Sequence, residues 1–265
     1  MLNIIEVKNL TKKFKDFVAV DNISFGVKQG EIFAFLGPNG AGKTTTIKIL
    51  TTLLHPTSGE CSIDGHSSLT DEKRVRKSFG IVFQDPSLDD ELTAYENMYF
   101  HAVLYKFPAA GRGQRIEQLL KFVELWDRRK DLVKKFSGGM KRRLEVARGL
   151  LHHPKVLFLD EPTLGLDPQT RNAIWQYIKN MNQTEGTTVF FTTHYMAEAE
   201  RVADRIAVID RGKIVMQGTV PELLSATKTN NLEDAFLTLT GKNIRESEAT
   251  GIDNLREGRA MWHRR

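Results

Sequence analysis

The chain holds 265 residues, 40% of them hydrophobic and 27% charged, with a formal net charge of +5. That is enough for a sizeable core, in one large domain or two small ones. A single cysteine, Cys61, excludes an intramolecular disulfide. No apolar run approaches the ~20 residues of a bilayer span, and the N-terminus lacks the basic-then-apolar pattern of a signal peptide, so a soluble, intracellular protein is expected.

Ile4 to Val7 and Val18 to Phe25 are β-rich and read as short strands, with Lys12-Lys13-Phe14-Lys15-Asp16 as the polar connection. Phe14 there suits packing at a strand end; the pattern alone gives it no further role. Glu31 to Leu36 is an apolar run that predicts a buried strand, and Thr44 to Leu54 keeps a helical apolar spacing. Between them, Gly37-Pro38-Asn39-Gly40-Ala41-Gly42-Lys43-Thr44-Thr45 fits the phosphate-binding loop, with Gly37, Gly42, Lys43 and Thr44 in its fixed positions. Glycines let backbone N–H groups approach phosphate oxygens. Lys43 supplies a flexible charge, Thr44 a hydroxyl for Mg²⁺, and the helix its positive dipole end.

His55-Pro56-Thr57-Ser58-Gly59 stops that helix, Glu60 to Ile63 predicts a strand ending at the Asp64-Gly65 turn, and Phe79 to Phe83 another with Gln84 at its end. From Thr93, in a capping box with Glu96, to about Leu151 the chain reads as helices, an inserted helical lobe over residues 86–153. Within it, Ser137 suits a helix N-cap. The following Gly138 and Gly139 make more sense if an anion must approach that helix end, although the chain already has a phosphate loop.

Val156 to Leu159 is fully apolar, as a central parallel strand is, and is followed at once by Asp160 and Glu161. In such a sheet ligands lie beyond the carboxyl ends of the strands. Asp160 is thereby placed to hold Mg²⁺ and Glu161 to deprotonate a water attacking the γ-phosphate; a capping Asp and a solvated Glu are the plainer alternative. Helix 169–182, strand 187–193, helix 195–202 and strand 205–209 continue an alternation that predicts a parallel α/β sheet. His194 ends one of these strands, again at the ligand end. Asp210-Arg211-Gly212-Lys213 turns into a short strand at 214–217, and capped helices follow at 219–226 and 232–240, the last closed by Gly241. Residues 242–265 carry few apolar side chains and are expected to be mobile, Trp262 included.

The phosphate loop, Gln84, Ser137-Gly138-Gly139, Asp160-Glu161, Gly165-Leu166-Asp167 and His194, in this order and spacing, resemble the ATP-binding cassette (ABC) family over nearly all of residues 2–241. The resemblance implies a phosphate-loop α/β core with a mostly parallel sheet, an N-terminal antiparallel β portion and an inserted helical subdomain. It also implies ATP hydrolysis with Mg²⁺ by two nucleotide-binding domains paired head to tail, on the cytoplasmic face of the membrane, driving a separate polytopic transmembrane subunit through residues 86–107. Phe14 would stack on adenine. Thr44, Gln84 and Asp160 would serve Mg²⁺, and Gln84 also the attacking water. Ser137, Gly138 and Gly139 would touch the partner domain's ATP, Asp167 would bridge the dimer and His194 would sense the γ-phosphate.

The family's commonest signature is Leu-Ser-Gly-Gly-Gln, whereas Phe136 and Met140 flank the centre here. That flank, with Lys141-Arg142-Arg143-Leu144 after it, looks like the drug-resistance and polysaccharide export branch. The alternative is a soluble cassette ATPase acting on ribosome or DNA. Neither a second cassette nor a long coiled-coil insertion is present, and no nucleic acid is expected.

Overall fold

The structure is a computed structural model describing residues 3–85 and 87–241. The expected mobile tail, 242–265 with Trp262, lies outside the described residues.

The chain opens with a long hairpin, β1 (Asn3–Phe14) and β2 (Phe17–Lys28). Here the sequence reading needs correction, because Lys12 and Lys13 extend β1 rather than connecting strands. They pair with Val20 and Val18, leaving Lys15 and Asp16 as the turn. Lys12 is half-buried and Lys13 exposed, so this end of an inner strand keeps enough contact with solvent to carry lysines that an apolar pattern does not reveal.

Strand β3 (Ile32–Leu36) leads into helix α1 (Lys43–Leu50), which stops short of the expected Leu54. The N–H groups of Leu53 and Leu54 both fold back on the Lys48 carbonyl, at 2.8 and 3.0 Å, and end the helix. Strand β4 (Ser58–Ile63) and β5 (His66–Ser67) form a hairpin closed by Asp64-Gly65, both at positive φ, and α2 (Glu72–Ser78) precedes β6 (Phe79–Val82).

No strand follows among the described residues until β7 (Val156–Asp160). The interval holds α3 (Ala94–Leu104), α4 (Ala109–Phe122), two single 3-10 turns and α5 (Gly138–Gly149). The Thr93–Glu96 capping box is formed in both directions. Then come α6 (Pro168–Glu185), β8 (Thr188–Thr193), α7 (Met196–Val202), β9 (Arg205–Asp210), β10 (Lys213–Gly218), α8 (Val220–Thr227) and α9 (Leu232–Thr240).

Two sheets result. One is four-stranded and antiparallel, in the order β2-β1-β4-β5; the other is six-stranded, β10-β9-β3-β8-β7-β6, parallel except for the β9–β10 hairpin. Strand alternation divides the core. Phe33, Phe35, Phe158 and Phe190 point toward the antiparallel sheet and α1, while Ala34, Leu36, Leu157, Leu159 and Phe191 point toward the helices, where Trp175 packs on Phe191. Phe25 of β2 bridges the sheets, its ring 5.8 Å from that of Phe33, 5.5 Å from Phe35 and 5.9 Å from Phe190.

Candidate functional site

The carboxyl ends of β3, β6, β7 and β8 converge on one cleft of about 470 Å³. It is lined by Phe17, Ala19, Asn39, Gly40, Gly42, Lys43, Thr44, Thr45, Gln84, Glu161, Leu164 and His194.

The loop after β3 is shaped by close approach. At Gly42, the N-cap of α1, φ is +106° and an added Cβ would lie 2.5 Å from the Ala19 carbonyl oxygen. Gly37 is equally confined, 2.3 Å from the Ile209 carbonyl oxygen by the same test. Ala41 turns into the core. Lys43 is buried and donates from Nζ to the Gly37 and Pro38 carbonyls, at 2.8 and 3.2 Å. The same nitrogen lies 3.1 Å from Glu161 Oε1.

Glu161 sits one residue past the end of β7 at φ +47°, in the left-handed region that non-glycine residues seldom enter. Its second carboxylate oxygen meets His194 Nδ1 at 3.1 Å. Burial would raise the Glu161 pKa, but the His194 hydrogen bond and the Lys43 charge outweigh it and pull the carboxyl down to about 2.

Asp160 is buried beside it. Its Oδ1 accepts from Thr44 Oγ1 at 3.3 Å and from Thr192 Oγ1 at 2.6 Å, while Thr192 Oγ1 in turn accepts from the Glu161 N–H at 3.0 Å. Thr192 therefore fixes both carboxylate residues, a role the sequence reading missed. The signal was a polar residue near the end of an otherwise apolar strand, and Thr192 pairs in register with Asp160. Glu198, also missed, accepts from Thr163 and Thr193 at 2.6 and 3.4 Å, bracing the segments beside Glu161 and His194.

The other predicted residues lie elsewhere. Phe14 and Phe17 face each other across the first hairpin; Phe17, 62% exposed, lines the cleft, whereas Phe14, 45% exposed, does not and carries Lys12 Nζ 5.1 Å from its ring. Ser137 caps α5 by accepting from the Met140 N–H at 3.3 Å. Ser137, Gly138 and Gly139 are absent from the cleft wall. A Cβ on Gly139 would lie 2.7 Å from Thr170 Cγ2, so packing alone explains that glycine, whereas nothing lies within 4 Å of one on Gly138. Asp167 caps α6, taking the Thr170 N–H at 3.0 Å and the Thr170 hydroxyl at 2.6 Å.

A phosphate loop, an acidic pair and a histidine around one cleft are the parts of a nucleotide hydrolase, but parts alone leave the family open. The ABC transporter family profile matches residues 20–164. The chain belongs to the ABC transporter family. It is 38% identical over 252 residues to the linearmycin resistance ATP-binding protein of Bacillus subtilis, covering 95% of this chain and 79% of that one. With the daunorubicin/doxorubicin resistance ATP-binding protein of Streptomyces peucetius it shares 41% over 228 residues, covering 86% and 69%. Among solved structures, a dimeric ATP-binding cassette in a post-hydrolysis state bound to ADP and phosphate superposes with a TM-score of 0.74 at 30% identity, covering 81% of this chain and 98% of that one. The ABC chain described here is thus an ATPase of the drug-resistance and export branch, as its motifs led one to expect.

Proposed function

We propose that this ABC chain is the ATP-hydrolysing subunit of an exporter, working as a head-to-tail dimer beneath a separate transmembrane partner. The observation that carries the reading is the convergence of Lys43, Thr44, Gln84, Glu161 and His194 on one cleft, with Glu161 held 3.1 Å from both Lys43 and His194 and Asp160 buried behind Thr44 at 3.3 Å. ATP phosphates lie in the loop 37–45, against Lys43 and the N–H groups at the start of α1. The hydroxyl of Thr44, the carboxylate of Asp160 and the amide of Gln84 form an oxygen-donor set that suits Mg²⁺, which would neutralise the phosphate charge.

Water attacks the γ-phosphorus in line, its proton passes to Glu161, and the bond to the ADP oxygen breaks to leave ADP and phosphate. Recruitment of Lys43 by the phosphates weakens its hold on Glu161, which raises the basicity of the carboxylate when a base is needed. His194 contacts the γ-phosphate, and Phe14, with Phe17 beside it, offers the base a ring.

Ser137 and Gly138 are exposed, stand off the cleft wall and close an otherwise free helix N-terminus. This suits contact with the ATP of a second cassette, with Asp167 at the same junction. The named relatives point to drug export, and the solved relative is dimeric. Residues 1–241 form one nucleotide-binding domain with 86–153 as its helical insert. The face of the insert toward the membrane subunit is the exposed apolar stretch Phe100, Val103 and Leu104, beside a groove of about 780 Å³ edged by Lys73, Arg76 and Lys106.

The test is Glu161→Gln. It retains ATP, dimerises in its presence and does not turn over; normal hydrolysis would refute the assigned base. Trapped with ATP in its native cells, this variant co-purifies with a polytopic membrane protein. Recovery with ribosomes or DNA would overturn the exporter reading and leave the ATPase chemistry standing.

A further inference from the structure

Helix α5 begins at Ser137 and, one turn further on, presents Arg142, Glu145 and Arg148 at three-residue spacing along one face. Together they reach Phe83, Gln84 and Ser87, just past the end of β6. The Arg142 guanidinium donates from Nη1 to the Phe83 carbonyl at 2.5 Å and from Nη2 to the Gln84 carbonyl at 3.0 Å, while Nη1 also meets Glu145 Oε2 at 3.1 Å. The other Glu145 oxygen accepts the Ser87 N–H at 2.8 Å. Arg148 donates to the Ser87 carbonyl at 2.9 Å and to its hydroxyl.

Arg142 and Glu145 are 7% and 2% exposed, so an ion pair has been taken out of water to make these contacts. Burial lowers the Arg142 pKa and raises that of Glu145, each partly offset by the other's charge and, at Glu145, by the Ser87 N–H. A buried pair of this kind adds little net stability over apolar packing of the same volume, so stability alone does not account for it. What it does is geometric. A planar fork held by a carboxylate grips two successive carbonyls from two separate nitrogens, in a fixed orientation that a freely rotating ammonium does not impose.

We infer that Arg142 and Glu145 are positioning residues that set where Gln84 stands in the cleft and couple it to the N-terminus of α5. The inference rests on the reading of Gln84 as a Mg²⁺ and water ligand. Because Ser137 and Gly138 open the same helix, engagement of that end by a second cassette is felt, through Arg142, at the glutamine of the opposite ATP site. The two sites of a dimer are thus linked through a single rigid helix rather than through the sheet.

The experiment uses the full-length chain and measures ATP turnover against ATP and Mg²⁺ for Gln84→Ala, Arg142→Lys and the double variant. Arg142→Lys keeps the charge and loses the fork. It is expected to lower kcat about tenfold with KM for ATP within about twofold, and to raise the Mg²⁺ needed for half-maximal rate. The double variant is no slower than the slower single, and the Hill coefficient for ATP falls toward one. Glu145→Gln, which keeps the shape and removes the opposing charge, reproduces this signature should the lysine variant fold poorly. Losses that multiply in the double variant overturn the coupling and leave Gln84 in its role. Full activity of Gln84→Ala overturns the reading of Gln84 and the coupling with it.

Discussion

Replacing Glu161 with Gln removes a carboxylate that is worth more to the fold without nucleotide than its position in a cleft suggests. The carboxyl falls from an ordinary 4.5 to about 2, which corresponds to about 3 kcal/mol of stability at pH 7. The sign follows from the depressed value: the native state binds its proton less readily than the unfolded chain, so the contribution is complete above the unfolded pKa and disappears as pH falls toward 2. Urea unfolding of both proteins without nucleotide, from pH 7 to pH 3, reads it directly. The wild type should exceed Glu161→Gln by about 3 kcal/mol at pH 7 and by about 1.5 kcal/mol at pH 3. The His194 hydrogen bond and Lys43 supply the mechanism together, and Lys43, only 5% exposed, would lose its one ion-pair partner among the described residues. A gap that stays constant across this range, or no gap at pH 7, would refute the reasoning.

Thr192→Val keeps the shape of the side chain and removes the bonds to Asp160 and to the Glu161 N–H. It should cost about 2 kcal/mol in urea unfolding and raise the Mg²⁺ requirement for turnover. Gly42→Ala places a Cβ 2.5 Å from the Ala19 carbonyl at φ +106°; calorimetric titration should show ATP binding lost, with a destabilisation of about 1–3 kcal/mol. Ser137→Ala loses one helix cap, about 1 kcal/mol, yet turnover should fall about a hundredfold if the hydroxyl meets a γ-phosphate. Mixing Ser137→Ala with Lys43→Ala chains then assembles one intact site per heterodimer, and activity should return that neither variant has alone; no recovery would count against head-to-tail pairing.

The cleft was legible where chemistry restricts residue type. Gly37, Gly42, Lys43 and Thr44 have few substitutes, and an acidic pair directly after an apolar strand can only emerge at the strand's carboxyl end. What escaped was support supplied across the sheet. Thr192 reads as one more β-branched residue until register sets it against Asp160, and nothing in the sequence singles out Arg142 and Glu145 as a pair until the fold sets them against Phe83, Gln84 and Ser87. Phe17 escaped because the hairpin was expected to be shorter, which left it outside any element. The helical interval was legible from periodicity and from the Thr93–Glu96 box, whereas the end of α1 was not, since it depends on the Lys48 carbonyl receiving two N–H groups from beyond the helix.

The cluster of Phe25, Phe33, Phe35 and Phe190 has a consequence outside stability. The hairpin that carries Phe17 to the cleft is rooted in one sheet and the phosphate loop in the other, and the Phe25 ring, 5.5 to 5.9 Å from those of Phe33, Phe35 and Phe190, holds the two apart. The interior thus acts as a gauge block for the span between Phe17 and the phosphate loop, set by side chains buried away from the cleft. A thinner residue, as in Phe190→Leu, should alter the relative affinities for ATP, ADP and AMP while every cleft residue stays the same.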